Sequence, residues 1–145
     1  MTLRQFFLVA FALGVSLFTI AQNQSTKQYF RHLKYNHVSP YIKLTGTYPI
    51  SEAEASTTSH YSFTYNQNDQ LISITNNHYF TERRHPLASI GAYKTIITYQ
   101  DHQETRIFLD IKGNRVTNDR GVYKEIFTRN KEGNYTALEF FDLND

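Results

Sequence analysis

The chain has 145 residues and a formal net charge of +2, with 15 Lys and Arg against 13 Asp and Glu, 11 Tyr, 11 Phe and no Cys. No basic stripe stands apart from its acidic neighbours, which argues against a nucleic-acid partner despite an isoelectric point near 8.8. Without cysteine no disulfide can form, so stability must come from a hydrophobic core, which one domain of this length can build.

Met1 to Ala21 reads as a signal peptide: Arg4 precedes an uncharged, mostly apolar run from Phe6 to Ile20, and Thr19-Ile20-Ala21 is a small-residue cleavage site. A retained membrane anchor is the weaker reading, because the run falls short of the roughly 20 residues a spanning helix needs. Residues 22–145 are then expected as a single β-rich domain, periplasmic or secreted, with no membrane span after cleavage. Loss of Arg4 alone among the charged residues brings its formal charge to +1. The aromatic and β-branched content favours strands.

Gln28 to Tyr35 reads as a strand with Tyr29, Arg31, Leu33 and Tyr35 on one side, or as a short helix. Asn36 to Pro40 supplies a turn, with Pro40 holding Ser39 extended, and Tyr41 to Thr45 is expected as the second strand of a hairpin. Gly46 to Ser59, with Pro49 and small polar residues, reads as a loop. Within it Ser51-Glu52-Ala53-Glu54 has the spacing of a capping box that opens one helical turn, a bare loop being the alternative.

Tyr61-Ser62-Phe63-Thr64-Tyr65 alternates with a period of two, placing Tyr61, Phe63 and Tyr65 on one strand face. Asn66 to Asp69 forms a turn, and Leu71 to Thr75 returns with Ile72 and Ile74 toward the core. His78 to Glu82 extends as a further strand, broken by Arg83-Arg84-His85-Pro86.

The second half is written twice. Gly91-Ala92-Tyr93-Lys94-Thr95-Ile96-Ile97-Thr98 recurs as Gly121-Val122-Tyr123-Lys124-Glu125-Ile126-Phe127-Thr128, identical at five of eight positions. Each block leads through a polar turn into an apolar return strand, Thr105 to Leu109 and Tyr135 to Phe141, so the unit is a β-hairpin. Tyr93, Thr95, Ile97 and Tyr99 share one face. Gly91 and Gly121 read as entry turns, and Tyr93 and Tyr123 as equivalent strand positions. Asp110 to Asn114 and Asn130 to Asn134 each open with Asp or Asn and carry Gly three residues later, the pattern of a type I turn followed by a residue with positive φ. That turn role accounts for Asp110 better than calcium, whose loop needs several more oxygen ligands at regular spacing.

Tyr65 to Leu71, Leu109 to Asn114 and Arg129 to Asp142 resemble the aromatic, Asp and Gly-Asn hairpin repeats of secreted bacterial proteins of the YD (Rhs-type) and MORN-like kinds, with Tyr123 to Asp142 the nearest match. The departures are Gln103, where the later unit has Gly133, and Asn66, where a YD repeat has Asp after the tyrosine. The resemblance implies a hairpin array used for shape or contact and no catalytic residue.

No constellation for chemistry stands out. The histidines His32, His37, His60, His78, His85 and His102 lack zinc-ligand spacing. Ser62 and Ser73 have no nucleophile-elbow setting, and no acid and base can be assigned among Glu82, Asp101, Glu104, Asp110 and Glu125 from spacing alone. No enzyme, cofactor or metal site is therefore expected. The fold expected is all-β, an antiparallel meander of hairpins that forms an open twisted sheet or a partly closed barrel. Its edges are expected to be protected by Lys34, Lys43 or the closing Asp142-Leu143-Asn144-Asp145. The expected role is structural or protein-interacting in the cell envelope or exterior. The alternative is a small-ligand or glycan-binding protein that uses a tyrosine-rich face made by Tyr61, Tyr65, Tyr93, Tyr99 and Tyr123. Exposed tyrosines would favour the alternative, and buried ones the first reading.

Overall fold

The computed structural model describes residues 25–34, 43–78 and 91–144. The expected signal peptide, the turn at 36–40 and all but the first residue of the strand expected over His78 to Glu82 lie outside these residues, and His78 itself is in a turn that follows the strand ending at Asn76. Eight antiparallel strands form one sheet in the order β2-β1-β3-β4-β5-β6-β7-β8. They are β1 (Thr26–Lys34), β2 (Thr45–Ile50), β3 (Tyr61–Tyr65), β4 (Leu71–Asn76), β5 (Lys94–Gln100), β6 (Gln103–Leu109), β7 (Lys124–Arg129) and β8 (Tyr135–Phe141). The sheet is open, with β2 and β8 as its two edges.

The first hairpin departs from expectation. Its return strand is Thr45–Ile50, so the first part of the expected loop is strand, and Phe30 pairs with Pro49. An edge strand tolerates proline, because one side of its backbone needs no donor. Pro49 and the positive φ of Tyr48 (58°) interrupt this edge, whereas Lys34 ends β1, one strand further in. Gly46 leaves room for the Phe30 ring, which would lie 2.3 Å from an added Cβ. Phe30 stacks edge-on to Phe63 (centroids 5.0 Å apart), while Tyr29 meets the ring of His60 and donates from its hydroxyl to Glu52.

The capping box forms. Ser51 Oγ accepts from Glu54 N (3.2 Å), Glu54 Oε2 accepts from Ser51 N (2.8 Å), and a single helical turn, α1 (Glu52–Ala55), carries the chain from edge strand β2 to β3.

One five-residue turn recurs. At Asn66, Asp110, Asn118 and Asn130 the first side chain accepts backbone N–H groups ahead of it. Its carbonyl accepts from the residue three on, and its N–H donates to the carbonyl four on. The fourth residue has positive φ each time: Asp69 55°, Gly113 84°, Gly121 77° and Gly133 85°. The turns at Asp110 and Asn130 are as expected. The turn at Asn118 makes Gly121 an entry turn, and Asp142 opens similar geometry by accepting from Asn144 N (2.7 Å). Asp110 and Asn118 together fold the stretch between β6 and β7 into an arm, in which Leu109 bridges Arg115.

The alternation expected for Tyr61 to Tyr65 and for Thr95 and Ile97 is present, and Phe63, Ile74, Thr95 and Ile97 are buried. Between Thr64 and Tyr65 the register shifts by one residue, so Tyr65 pairs with Leu71. The bulge puts Leu71, rather than Ile72, against the core of Leu33, Tyr61, Phe63, Ile74, Ala92 and Phe108.

The two repeats superpose in role. Gly91 (φ 70°) and Gly121 both have positive φ, Tyr93 and Tyr123 precede β5 and β7, and Thr95 and Ile97 occupy the buried face as Glu125 and Phe127 do. The first entry turn rests on the second, since a Cβ on Gly91 would lie 1.9 Å from the Asp119 carboxylate.

Candidate functional site

On β6 and β7 the alternation that buries Phe108 and Phe127 also buries charge. Glu104, Arg106 and Phe108 share one face of β6, and Glu125, Phe127 and Arg129 the same face of β7, with Arg106 paired to Glu125 and Glu104 to Phe127. Buried charge needs partners, and each group has them. Glu104 Oε1 accepts from Arg106 Nε (2.8 Å), and its Oε2 accepts from Arg129 Nη2 (3.1 Å). Glu125 lies 3.7 Å from Arg106, accepts from Asn118 Nδ2 at 3.2 Å and also receives Arg120. The guanidinium of Arg106 covers the Phe127 ring at 4.2 Å. Burial pushes the Glu125 carboxyl above the usual range, and Arg106 and Arg120 pull it the other way.

This ladder runs into a cleft where the β3–β4, β5–β6 and β7–β8 turns gather. Two adjoining lobes, about 390 and 480 Å³, share Leu71, Tyr99, Glu104 and Arg129. Leu44, Leu71 and Ile97 give the first lobe apolar walls, and Lys43 stands among its lining groups. Arg129 Nη2 also donates to the Tyr135 hydroxyl, with the guanidinium 4.3 Å from the Tyr135 ring centre. Tyr99 donates from its hydroxyl to Leu71 O (3.0 Å), and burial pushes that phenol up to about 12.

Of the tyrosines expected to form a binding face, Tyr61 and Tyr123 are buried in the core, and Tyr65 and Tyr93 are half-buried. Tyr99, 38% exposed, lines the cleft, so the five do not make one exposed patch. The cleft's other polar groups were not singled out by motif. Their signal is the pattern Glu-x-Arg-x-Phe on β6 and Glu-x-Phe-x-Arg on β7, which sets charges in line with core aromatics.

No family model, curated protein or solved structure matches the chain.

Away from the cleft, His60 Nδ1 lies 2.7 Å from Thr58 O and its Nε2 3.2 Å from Ser62 Oγ, and Asn77 Nδ2 donates to Ser62 Oγ at 3.1 Å. This cluster ties α1's exit to β3 and β4. Asp110 accepts from Lys112 N, Asn114 N and Asn114 Nδ2, which gives its carboxylate a turn role. Among the described residues no group of three or more His, Cys, Asp or Glu side chains is placed to hold a metal.

Proposed function

We propose that the chain is an exported β-hairpin-repeat module with a structural or protein-interaction role in the cell envelope or exterior. The observation that carries this reading is the sheet face opposite the charged ladder. Ile96 pairs with Ile107, Ile126 lies diagonally beside them, and all three are half-buried, unlike the fully buried Phe108 and Phe127 of the other face. Among the described residues no helix or second sheet packs over them. Thr98, Thr105, Lys94 and Glu139 surround the stripe, an apolar strip with a polar rim such as protein contacts use. Burial of Tyr61 and Tyr123 supports the same reading, because it removes them from any sugar-stacking surface. The leader at Met1 to Ala21 supports export, and the likeness to secreted YD and MORN-like hairpin repeats belongs to the same proposal.

The test is recovery of a specific envelope or extracellular protein by the purified chain, set beside a broad glycan screen. An Ile126→Glu variant with an unchanged far-ultraviolet spectrum is expected to lose the protein partner. Glycan binding without a protein partner would sink the reading.

A further inference from the structure

We propose that the first lobe of the cleft is a binding site for a small organic carboxylate, with Arg129 and Lys43 taking the carboxylate and Tyr99, Leu44 and Leu71 receiving its ring or chain. This site lies apart from the isoleucine stripe and stands independently of the protein partner proposed for that face.

The argument starts from what holds Arg129. Its Nη2 is fixed by Glu104 and by the Tyr135 hydroxyl, and its guanidinium carbon lies 4.3 Å from the Tyr135 ring centre. Among the described residues nothing accepts from its Nε or Nη1, and its side chain is 40% exposed at the cleft. A guanidinium already held in place loses little rotamer freedom when it meets a ligand, and its remaining donors suit the two oxygens of a carboxylate. Lys43 lines the same lobe and is exposed.

Charge points the same way. Arg106 at the lobe's wall is already held between Glu104 and Glu125, and both oxygens of Glu104 accept from guanidinium groups. Lys43 and the outer donors of Arg129 therefore remain as the lobe's cationic groups above apolar walls. Its volume of about 390 Å³ lies within the range of small-molecule sites. A neutral sugar would leave the cationic donors without a charged partner, and a bare inorganic anion would leave the apolar walls uncovered.

The experiment is a proton–nitrogen NMR titration of the purified chain that follows the Arg129 Nε–H signal. Benzoate and glucuronate are added to about 10 mM, with benzamide and glucose as neutral counterparts. The carboxylates are expected to shift the signal saturably and the neutral compounds not to. Response to glucuronate alone would assign the site to acidic sugars, and response to benzoate as well would assign it to free organic acids. Lys43→Gln, at an exposed position outside the core, is expected to weaken binding about tenfold, read from backbone signals of the cleft. Arg129→Gln should do the same, and Arg31→Gln on β1 should change nothing. No response to either carboxylate, an equal response to the neutral compounds, or unaltered binding by both cleft variants would overturn the proposal. None of those results would touch the partner-binding reading of the opposite face.

Discussion

At the scale of single residues, positive φ and close approach separate the glycines. Gly133 has φ 85° and open space around it, so Gly133→Ala meets backbone strain alone and is expected to cost about 1 kcal/mol in urea unfolding. Gly91 combines φ 70° with the Asp119 carboxylate in the space of its missing Cβ, so Gly91→Ala is expected to lose clearly more. Equal losses would show that the two entry turns do not press on each other. Asp110 makes a separate prediction. The Asn114 side chain, followed by backbone N–H groups, holds its carboxyl below the ordinary 3.8. A lowered acid adds stability above its unfolded value, and that stability is lost as pH falls through the folded one. Asn opens the other three copies of this turn, so Asp110→Asn should keep the fold at neutral pH and lose less stability on acidification below about 4. An unaltered acid profile would refute that assignment.

Among elements, the charged ladder is what joins β6 to β7 beside Phe127. Removing one member leaves buried guanidinium groups short of their acceptor, so Glu125→Ala is expected to lower stability by about 3 kcal/mol or more in denaturant unfolding. A loss below about 1 kcal/mol would mean that water reaches Arg106 and Arg120 as an easy substitute. The elements were largely legible in the sequence, because period-two alternation and turn chemistry are local. Tyr61 to Tyr65, the Gly-x-Tyr-Lys entries and the Gly-Asn turns all say where a strand begins or reverses. The Thr45–Ile50 strand was not legible, since Pro49 and Gly46 weaken any strand pattern, and only edge position and the Phe30 ring make them acceptable. The Tyr65–Leu71 bulge was hidden too: one extra residue exchanges Leu71 for Ile72 without a mark in the alternation. The cleft was less legible still. Leu71, Glu104 and Arg129 lie far apart in the chain and share one cleft only because β4 to β7 lie in sequence order across the sheet.

At the scale of the whole molecule, the open sheet has two unlike faces. One buries Phe63, Ile74, Phe108 and Phe127 together with the charged ladder; the other carries the half-buried isoleucine stripe without a covering element among the described residues. The edges differ as well, with β2 interrupted by Pro49 and Tyr48 and β8 lying at the other side. In the proposed reading, partner contact belongs to the stripe and small-ligand contact to the cleft. The most direct test of the first assignment is photo-cross-linking from a benzophenone side chain placed at Ile126 and, separately, at Lys112 on an exposed turn. A discrete adduct with one envelope or extracellular protein, formed from Ile126 and absent from Lys112, is the predicted result. The same products from both positions, or none from Ile126, would contradict it.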